Sequence, residues 1–135
     1  MALADEIGAI LDTSFFIAGE RDRPIDLAAV PKRPAVSVVT LAELRLAVLN
    51  NSDPPRRAAY LGTLERALRV RAIGIDENVA FQWAILRSAA RSLSSSRIND
   101  LWIAATALTL QIPVVTQDQG FLRLEAVGGP KVIVV

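Results

Sequence analysis

The chain has 135 residues, of which 52% are hydrophobic, and a formal net charge of +1. This length suits a single domain with a substantial core, and no apolar run approaches the roughly 18 residues that a membrane span needs. Because the sequence contains neither cysteine nor histidine, it excludes zinc sites, thiol and Ser-His catalysis and histidine acid/base chemistry, which leaves carboxylates, hydroxyls, Lys, Arg or an oxygen-bound metal ion.

The first predicted elements are a buried strand and the start of a helix. Ile7–Leu11 is an apolar run that ends in Asp12-Thr13-Ser14, a pattern typical of a buried strand that leads into a polar helix start. Residues 19–34 contain three prolines and many charges, so they are predicted to form a loop around a short helix at Ile25–Val30.

A second strand and helix follow. Ala35–Val39 is predicted to be a strand, and Thr40 and Glu43 fit a capping box with Thr40 at the N-cap and Glu43 at N3. The helix that they open is predicted to run to about Leu49, and the polar, proline-containing segment 50–55 breaks it.

The middle of the chain predicts two helices around a third strand. Arg56–Leu68 is amphipathic and helical, and Val70–Ile75 indicates a strand weakened by a glycine. Asp76 begins another helix through about Ala90, and a polar loop covers Arg91–Ser96.

The last part of the chain predicts a small-residue helix that starts beside Arg97 and stops at Pro113. A β-branched strand follows at Val114–Thr116. The remaining predictions are a turn at Gln117–Gly120, a short helix at Phe121–Leu124, a turn at Gly128–Pro130 and a final strand at Val132–Val135.

Five short apolar strands that alternate with helices predict an α/β fold, a parallel sheet covered by helices on both faces. No repeat or linker divides the chain, so we expect one domain over 1–135. The segment Met1–Glu6 has neither the positive nor the apolar region of a signal peptide, so we expect a soluble, cytoplasmic protein.

Four acidic residues are predicted to meet at the edge of the sheet where its strands end. Asp12 ends the first strand, Glu43 and Asp100 lie in first turns of helices, and Asp118 follows the fourth strand. Each acid alone has an ordinary structural explanation: helix capping, a capping box, the helix dipole or a turn.

Together the acids favour a cation site. Four like charges in a partly buried crevice cost several kcal/mol unless a cation offsets them. Carboxylates without sulfur or imidazole select Mg²⁺ or Mn²⁺.

The chain resembles PIN-domain ribonucleases and, within them, the VapC toxins of bacterial toxin-antitoxin pairs. The resemblance covers nearly the whole chain and has its most specific part in the spacing of the last two acidic motifs. The residues that carry it are Asp12-Thr-Ser, Glu43 within Val39-Thr-Leu-Ala-Glu-Leu, Asp100 within Asn-Asp-Leu-Trp-Ile-Ala-Ala-Thr-Ala, and Asp118 within Val115-Thr-Gln-Asp-Gln-Gly-Phe.

This resemblance implies a strand order of 3-2-1-4-5 and a Mg²⁺- or Mn²⁺-dependent endoribonuclease that hydrolyses structured RNA, such as tRNA or rRNA. It also implies a homodimer that is inhibited by a cognate VapB-type antitoxin, in a heterotetramer or a larger assembly. By hypothesis, the metal is held by Asp12, Asp100 and Asp118, with Glu43 holding a second ion or a water. Asn99 departs from the histidine that many relatives carry before the acid.

Three further residues are candidates for substrate binding. Arg97, just before the small-residue helix, is our candidate for a phosphate contact, and a solvated surface arginine is the alternative. Ser14 and Thr116 can hydrogen-bond a carboxylate or a phosphate, although strand-end hydroxyls are more often structural.

Two other classes of protein remain as alternatives. A different phosphoryl-transfer domain also gathers acids at a strand edge. A phosphatase with an aspartyl nucleophile, however, needs a second acid where Ser14 stands, and a receiver domain needs a lysine after the last strand, whereas Lys131 comes before that strand. A non-catalytic partner-binding domain would be favoured by a missing acid, and all four are present. Trp83 and Trp102 fall in helical apolar patterns, which favours packing over base stacking.

Overall fold

A parallel sheet lies at the centre of the computed structural model, which describes residues 6–92 and 97–135. Within these residues the sheet has five strands: β1 (Ala9–Leu11), β2 (Pro34–Ser37), β3 (Arg71–Ile73), β4 (Val114–Thr116) and β5 (Val132–Val134). Their order is β3-β2-β1-β4-β5, and all neighbouring strands are parallel. The predicted fold class and strand order are therefore confirmed.

Helices cover both faces of this sheet. The α-helices of the described residues are α1 (Thr13–Ile17), α2 (Val38–Leu49), α3 (Pro54–Leu68), α4 (Glu77–Ala89), α5 (Ile98–Leu110) and α6 (Leu122–Ala126). Short 3-10 turns cover Ala18–Arg21, Leu27–Ala29 and Gln119–Phe121.

Alternate residues of each strand belong to two separate cores. In β1, Ile10 packs with α4, α5 and α6, whereas Ala9 and Leu11 pack with α1, α2 and α3. Val114 and Val115 of β4 divide in the same way, and both are fully buried. Burying a Leu, Ile or Val side chain contributes roughly 1.5–3 kcal/mol, so both layers hold the strand ends in fixed positions.

Helix α5 is the most deeply buried helix segment beside the sheet. Leu101, Ile103 and three alanines on it are fully buried, and small side chains let the helix lie close to the strands. Trp102 on α5 stacks on Trp83 of α4 with ring centroids 4.8 Å apart, which confirms packing roles for both. No helix in residues 6–92 and 97–135 is both long and apolar enough to cross a membrane.

The predicted capping box at Thr40 and Glu43 is wrong. Strand β2 ends at Ser37, and the Ser37 hydroxyl accepts a hydrogen bond of 3.1 Å from the Val39 N–H, so it caps α2 three residues earlier. The β-branched pair Val38-Val39 favours a strand locally, but the cap and the burial of Thr40 and Leu44 place it in the helix. Glu43 is therefore one turn further into α2 than predicted.

Other boundaries differ by small amounts. The predicted helix at Ile25–Val30 is only a 3-10 turn at Leu27–Ala29, and β3 covers three of the residues predicted between Val70 and Ile75. Asp76 caps α4 by accepting from the Val79 N–H, as expected. The predicted loop at 91–96 lies partly outside the described residues, and its first two residues form a turn.

Candidate active site

A cavity of about 540 Å³ opens at the edge of the sheet where β1 and β4 end. All four predicted acids line it, together with two of the three predicted substrate-binding residues. The lining residues are Asp12, Thr13, Ser14, Ile17, Arg21, Arg23, Glu43, Arg97, Asp100, Gln117, Asp118 and Gln119. Thr116 is fully buried behind this lining.

Asp12 lies at the bottom of the site, with only 3% of its surface exposed. It follows β1 directly and caps α1 by accepting a hydrogen bond from the Phe15 N–H. Burial raises the pKa of Asp12 to about 7, against the lowering effect of hydrogen bonds from Ser14, Thr116 and Phe15. The nearby charge of Asp100 raises it further, so Asp12 gives up its proton in this structure only near neutral pH.

Two hydroxyl groups hold the two oxygens of Asp12. Ser14 donates to Oδ1 at 2.7 Å, and Thr116 donates to Oδ2 at 2.8 Å. Ser14 accepts from the Gln117 N–H at 2.9 Å, and Thr116 accepts from the Asp118 N–H at 2.8 Å. The structure therefore gives Thr116 contacts with Asp12 and the following turn instead of an open face on the cavity.

Asp100 and Asp118 form the opposite side of the site, joined by Arg97. One guanidinium nitrogen of Arg97, Nη1, donates to Asp100 Oδ2 at 3.2 Å and also to Asp118 Oδ2. Burial raises the pKa of Asp100 to about 6, although Arg97 lowers it and the charges of Asp118 and Glu43 raise it.

The pKa of Asp118 is shifted in the opposite direction from those of Asp12 and Asp100. Partial burial alone would raise its pKa, but the Gly120 N–H and the Arg97 guanidinium outweigh that effect and bring the pKa below its usual value. The Gly120 N–H donates to Asp118 Oδ1 at 2.8 Å. The predicted turn at this position therefore fixes one oxygen of the acid while Arg97 engages the other.

Glu43 reaches the cavity from α2. The Thr13 hydroxyl donates to Glu43 Oε1 at 2.7 Å and lies 3.0 Å from the Thr40 hydroxyl. Thr13 thereby links the start of α1 to α2. Thr40 takes part in positioning Glu43 through this contact, a role different from the predicted N-cap.

Several lining residues were not predicted from the sequence. Thr13 stands inside the Asp-Thr-Ser motif, which was a usable signal, whereas Arg21 and Arg23 lie in the charged segment 19–34 with no pattern to mark them. Gln117 is anchored by its side-chain amide, which donates to the Pro24 carbonyl at 2.9 Å and to the Val135 carbonyl at 2.8 Å.

The chemistry of the donor set fits a hard divalent cation. Every acidic group at the cavity is a carboxylate, and Asp12 and Asp100 each have a pKa raised by burial and by neighbouring acids. Such a pair is relieved either by protons or by a cation. In the described parts of the chain no three acids are arranged as a ready set of metal ligands. Two of the four acids at the cavity, Asp100 and Asp118, are paired with Arg97 instead.

Comparisons with known proteins show the family of the chain. The PIN domain family model matches residues 9–127. The chain is 45% identical over 125 residues to Ribonuclease VapC5 of Mycobacterium tuberculosis, covering 92% of this chain and 93% of that protein. It is 43% identical over 117 residues to Ribonuclease VapC4 of the same organism, covering 86% and 90%.

Two solved structures share the fold. The crystal structure of VapBC-5 from Mycobacterium tuberculosis, a member of the VapBC family of toxin-antitoxin systems, matches with a TM-score of 0.83 and 43% identity, covering 95% of this chain and 98% of that one. FitAcB from Neisseria gonorrhoeae matches with a TM-score of 0.72 and 27% identity, covering 93% and 96%.

The sheet order and the family match define a PIN domain. The chain therefore belongs to the PIN-domain family and, within that family, to the VapC proteins.

Proposed function

We propose that this chain is a metal-dependent endoribonuclease and the toxin of a VapBC-type toxin-antitoxin pair. The observation that carries the proposal is that Asp12, Glu43, Asp100 and Asp118 line one cavity together. Two relatives, which are 45% and 43% identical to this chain over most of their length, are named ribonucleases. Structured RNA, such as tRNA or rRNA, is the proposed substrate.

The proposed cofactor is Mg²⁺ or Mn²⁺, held by Asp12, Asp100 and Asp118, with Glu43 holding a second ion or a water. When bound, such an ion lowers the pKa of a bound water and stabilises charge on phosphoryl oxygens. The protein's own contribution is orientation: Ser14 and Thr116 fix Asp12, Thr13 fixes Glu43, and the Gly120 N–H fixes one oxygen of Asp118.

Arginines of the cavity would serve the substrate. Arg21, Arg23 and Arg97 line the same space as the acids, and a guanidinium pairs well with phosphate oxygens. We propose that they position the RNA backbone beside the carboxylates, with Arg97 as the phosphate contact nearest to them. Ser14 touches the cavity and is a further candidate contact, whereas Thr116 would act through Asp12.

The proposed partners are a cognate VapB-type antitoxin and a second copy of the chain. VapBC-5, which matches over nearly all of both chains, is a toxin-antitoxin system. Helix α4 presents Phe81 and Ile85 to solvent, 59% and 61% exposed, one turn apart. This apolar stripe supports burial of part of α4 in a homodimer or against the antitoxin.

The test is cleavage mapping of total cellular RNA by the purified chain, freed of any antitoxin. We expect cuts at defined positions that require Mg²⁺ or Mn²⁺ and disappear with EDTA. D100N should be inactive, whereas R45Q, a change of an exposed arginine outside the cavity, should cleave normally. Equal cleavage by D100N, or cleavage in EDTA, would contradict the proposal.

A further inference from the structure

The acidic site contains its own cation. Arg97 Nη1 donates to Oδ2 of both Asp100 and Asp118, so one guanidinium group joins two acids that come from different parts of the fold. The side chains of Arg97, Asp100 and Asp118 are 35%, 22% and 39% exposed. This ion pair therefore lies at the mouth of the cavity and is within reach of solvent.

The absence of a side chain at Gly120 leaves the space that the Arg97 guanidinium occupies. A Cβ added at Gly120 would lie 2.4 Å from both terminal nitrogens of Arg97 and 2.5 Å from its Cζ. Any residue larger than glycine at position 120 would thus push the guanidinium away from Asp118. Gly120 has no left-handed backbone conformation, so the need for glycine here comes from Arg97 and not from the turn.

The position of Arg97 conflicts with a second cation. Its Nη1 is hydrogen-bonded to the Oδ2 atoms of Asp100 and Asp118, two of the acids proposed to hold the metal. A metal ion at these acids would lie a few ångströms from the guanidinium, and two positive charges so close in a partly buried site repel strongly. Arg97 cannot resolve this conflict by losing a proton, because an arginine side chain stays charged in proteins. Movement of the guanidinium away from the two carboxylates removes the conflict.

We propose that, in the metal-free protein, the guanidinium of Arg97 takes the place of the divalent ion. It pairs Asp100 and Asp118 while no metal is bound, and it leaves them when the ion binds. This inference rests on the proposed metal-dependent function, and it adds that metal affinity is set partly by competition with a residue of the chain itself. A guanidinium on a long side chain at the cavity mouth can make this movement without a change of the backbone.

The first test measures Mn²⁺ binding by calorimetry and metal-free thermal unfolding for the wild type and R97Q. Removing the competing cation should tighten Mn²⁺ binding by about tenfold or more. In the wild type, Mn²⁺ must first break the Arg97 hydrogen bonds, and one hydrogen bond to a charged group corresponds to about a tenfold change in affinity. Metal-free R97Q should melt at a lower temperature, because Asp100 and Asp118 lose their counter-ion. Mn²⁺ should then raise its melting temperature by more than that of the wild type. R45Q is the matched control and should bind like the wild type.

The second test keeps the arginine and moves it. G120A leaves every charge of the site in place but displaces the guanidinium, so it should tighten Mn²⁺ binding in the same direction as R97Q. G62A, where an added Cβ meets nothing within 4 Å, is its control and should bind Mn²⁺ like the wild type.

The outcomes separate the inference from the function on which it rests. Unchanged or weaker Mn²⁺ binding by both R97Q and G120A, with a wild type that binds Mn²⁺, would mean that Arg97 is a fixed part of the site, and it would overturn the inference alone. Failure of the wild type and all variants to bind Mn²⁺ would overturn both the inference and the proposed metal dependence.

Discussion

The two sides of the acidic cavity hold negative charge in different ways. On the buried side, Asp12 is surrounded by neutral hydroxyl and N–H donors, and its pKa rises to about 7. On the open side, Asp118 pairs with Arg97 and its pKa falls below the usual value. The comparison shows that burial outweighs the neutral hydrogen bonds of Asp12 and also outweighs Arg97 at Asp100, whose pKa is about 6. At the more exposed Asp118, the Gly120 N–H and Arg97 together outweigh burial.

The largest expected effect comes from removing the charge on the buried side. D12N should reduce RNA cleavage by at least about 100-fold, the usual scale for losing one group that stabilises developing charge. Metal-free thermal stability should stay unchanged or rise, since a buried charge is gone. The amide still accepts from Ser14, and the Thr116 hydroxyl can turn to the Asp118 carbonyl at 3.4 Å. A large loss of stability would instead mean that Asp12 serves mainly as a helix cap.

The pH dependence of stability should separate Asp12 from Asp118. Asp12 has a higher pKa in the folded state, about 7, than its ordinary 3.8, so the folded protein binds the extra proton between these values. The free energy of unfolding of the metal-free protein should therefore fall as pH rises from about 4 to 7, by on the order of 2–4 kcal/mol from this group. Denaturant unfolding at several pH values tests this, and D12N should make the fall smaller, leaving the part that comes from the raised pKa of Asp100, about 6.

Asp118 contributes in the opposite direction. Its lowered pKa gives stability that is present above the ordinary pKa of an aspartate and is lost as pH falls through its own folded value. In D118N the acid limb of the same unfolding curve should lose this contribution, while the fall in stability toward pH 7 should remain. A variant that removed both limbs would show that the two sides titrate as one unit.

An intermediate effect is expected from the hydroxyl groups that hold Asp12. T116V removes the donor to Asp12 Oδ2 and the acceptor for the Asp118 N–H. We expect a loss of about 1–2 kcal/mol of stability and roughly tenfold slower cleavage, because Asp12 loses its orientation. The control is T109V, because the Thr109 hydroxyl bonds the Ala105 carbonyl within α5, away from the cavity lining. Equal activities for the two variants would contradict a positioning role for Thr116.

The smallest effect is expected away from both sides. S37A removes the cap of α2 and should cost about 1 kcal/mol of stability, measured by denaturant unfolding. Cleavage should change little, since Ser37 contacts none of the acids. A much larger effect on activity than on stability would show that the start of α2 controls Glu43 more directly than the observed hydrogen bonds indicate.

Local sequence patterns predicted the α/β class and the meeting of the four acids at one edge of the sheet, whereas the strand order was implied by the resemblance to PIN domains. Strand β4 was predicted with its observed bounds, since Pro113 and a β-branched run mark it. The capping box failed because Ser37 and Thr40 both suit an N-cap, and only burial of Thr40 against Thr13 decides between them. Arg97 was noticed, but its pairing with Asp118 is a contact across 21 residues that no local pattern encodes.

Gln117 joins three segments that are far apart along the chain. Its backbone N–H bonds Ser14, and its amide bonds the carbonyls of Pro24 and Val135. The segment next to Arg23 is thus joined to the residues that follow β4 and β5 by one neutral side chain. Through these bonds a neutral glutamine helps to set where the positive charge of Arg23 lies beside the cavity, and so how a polyanion would approach it.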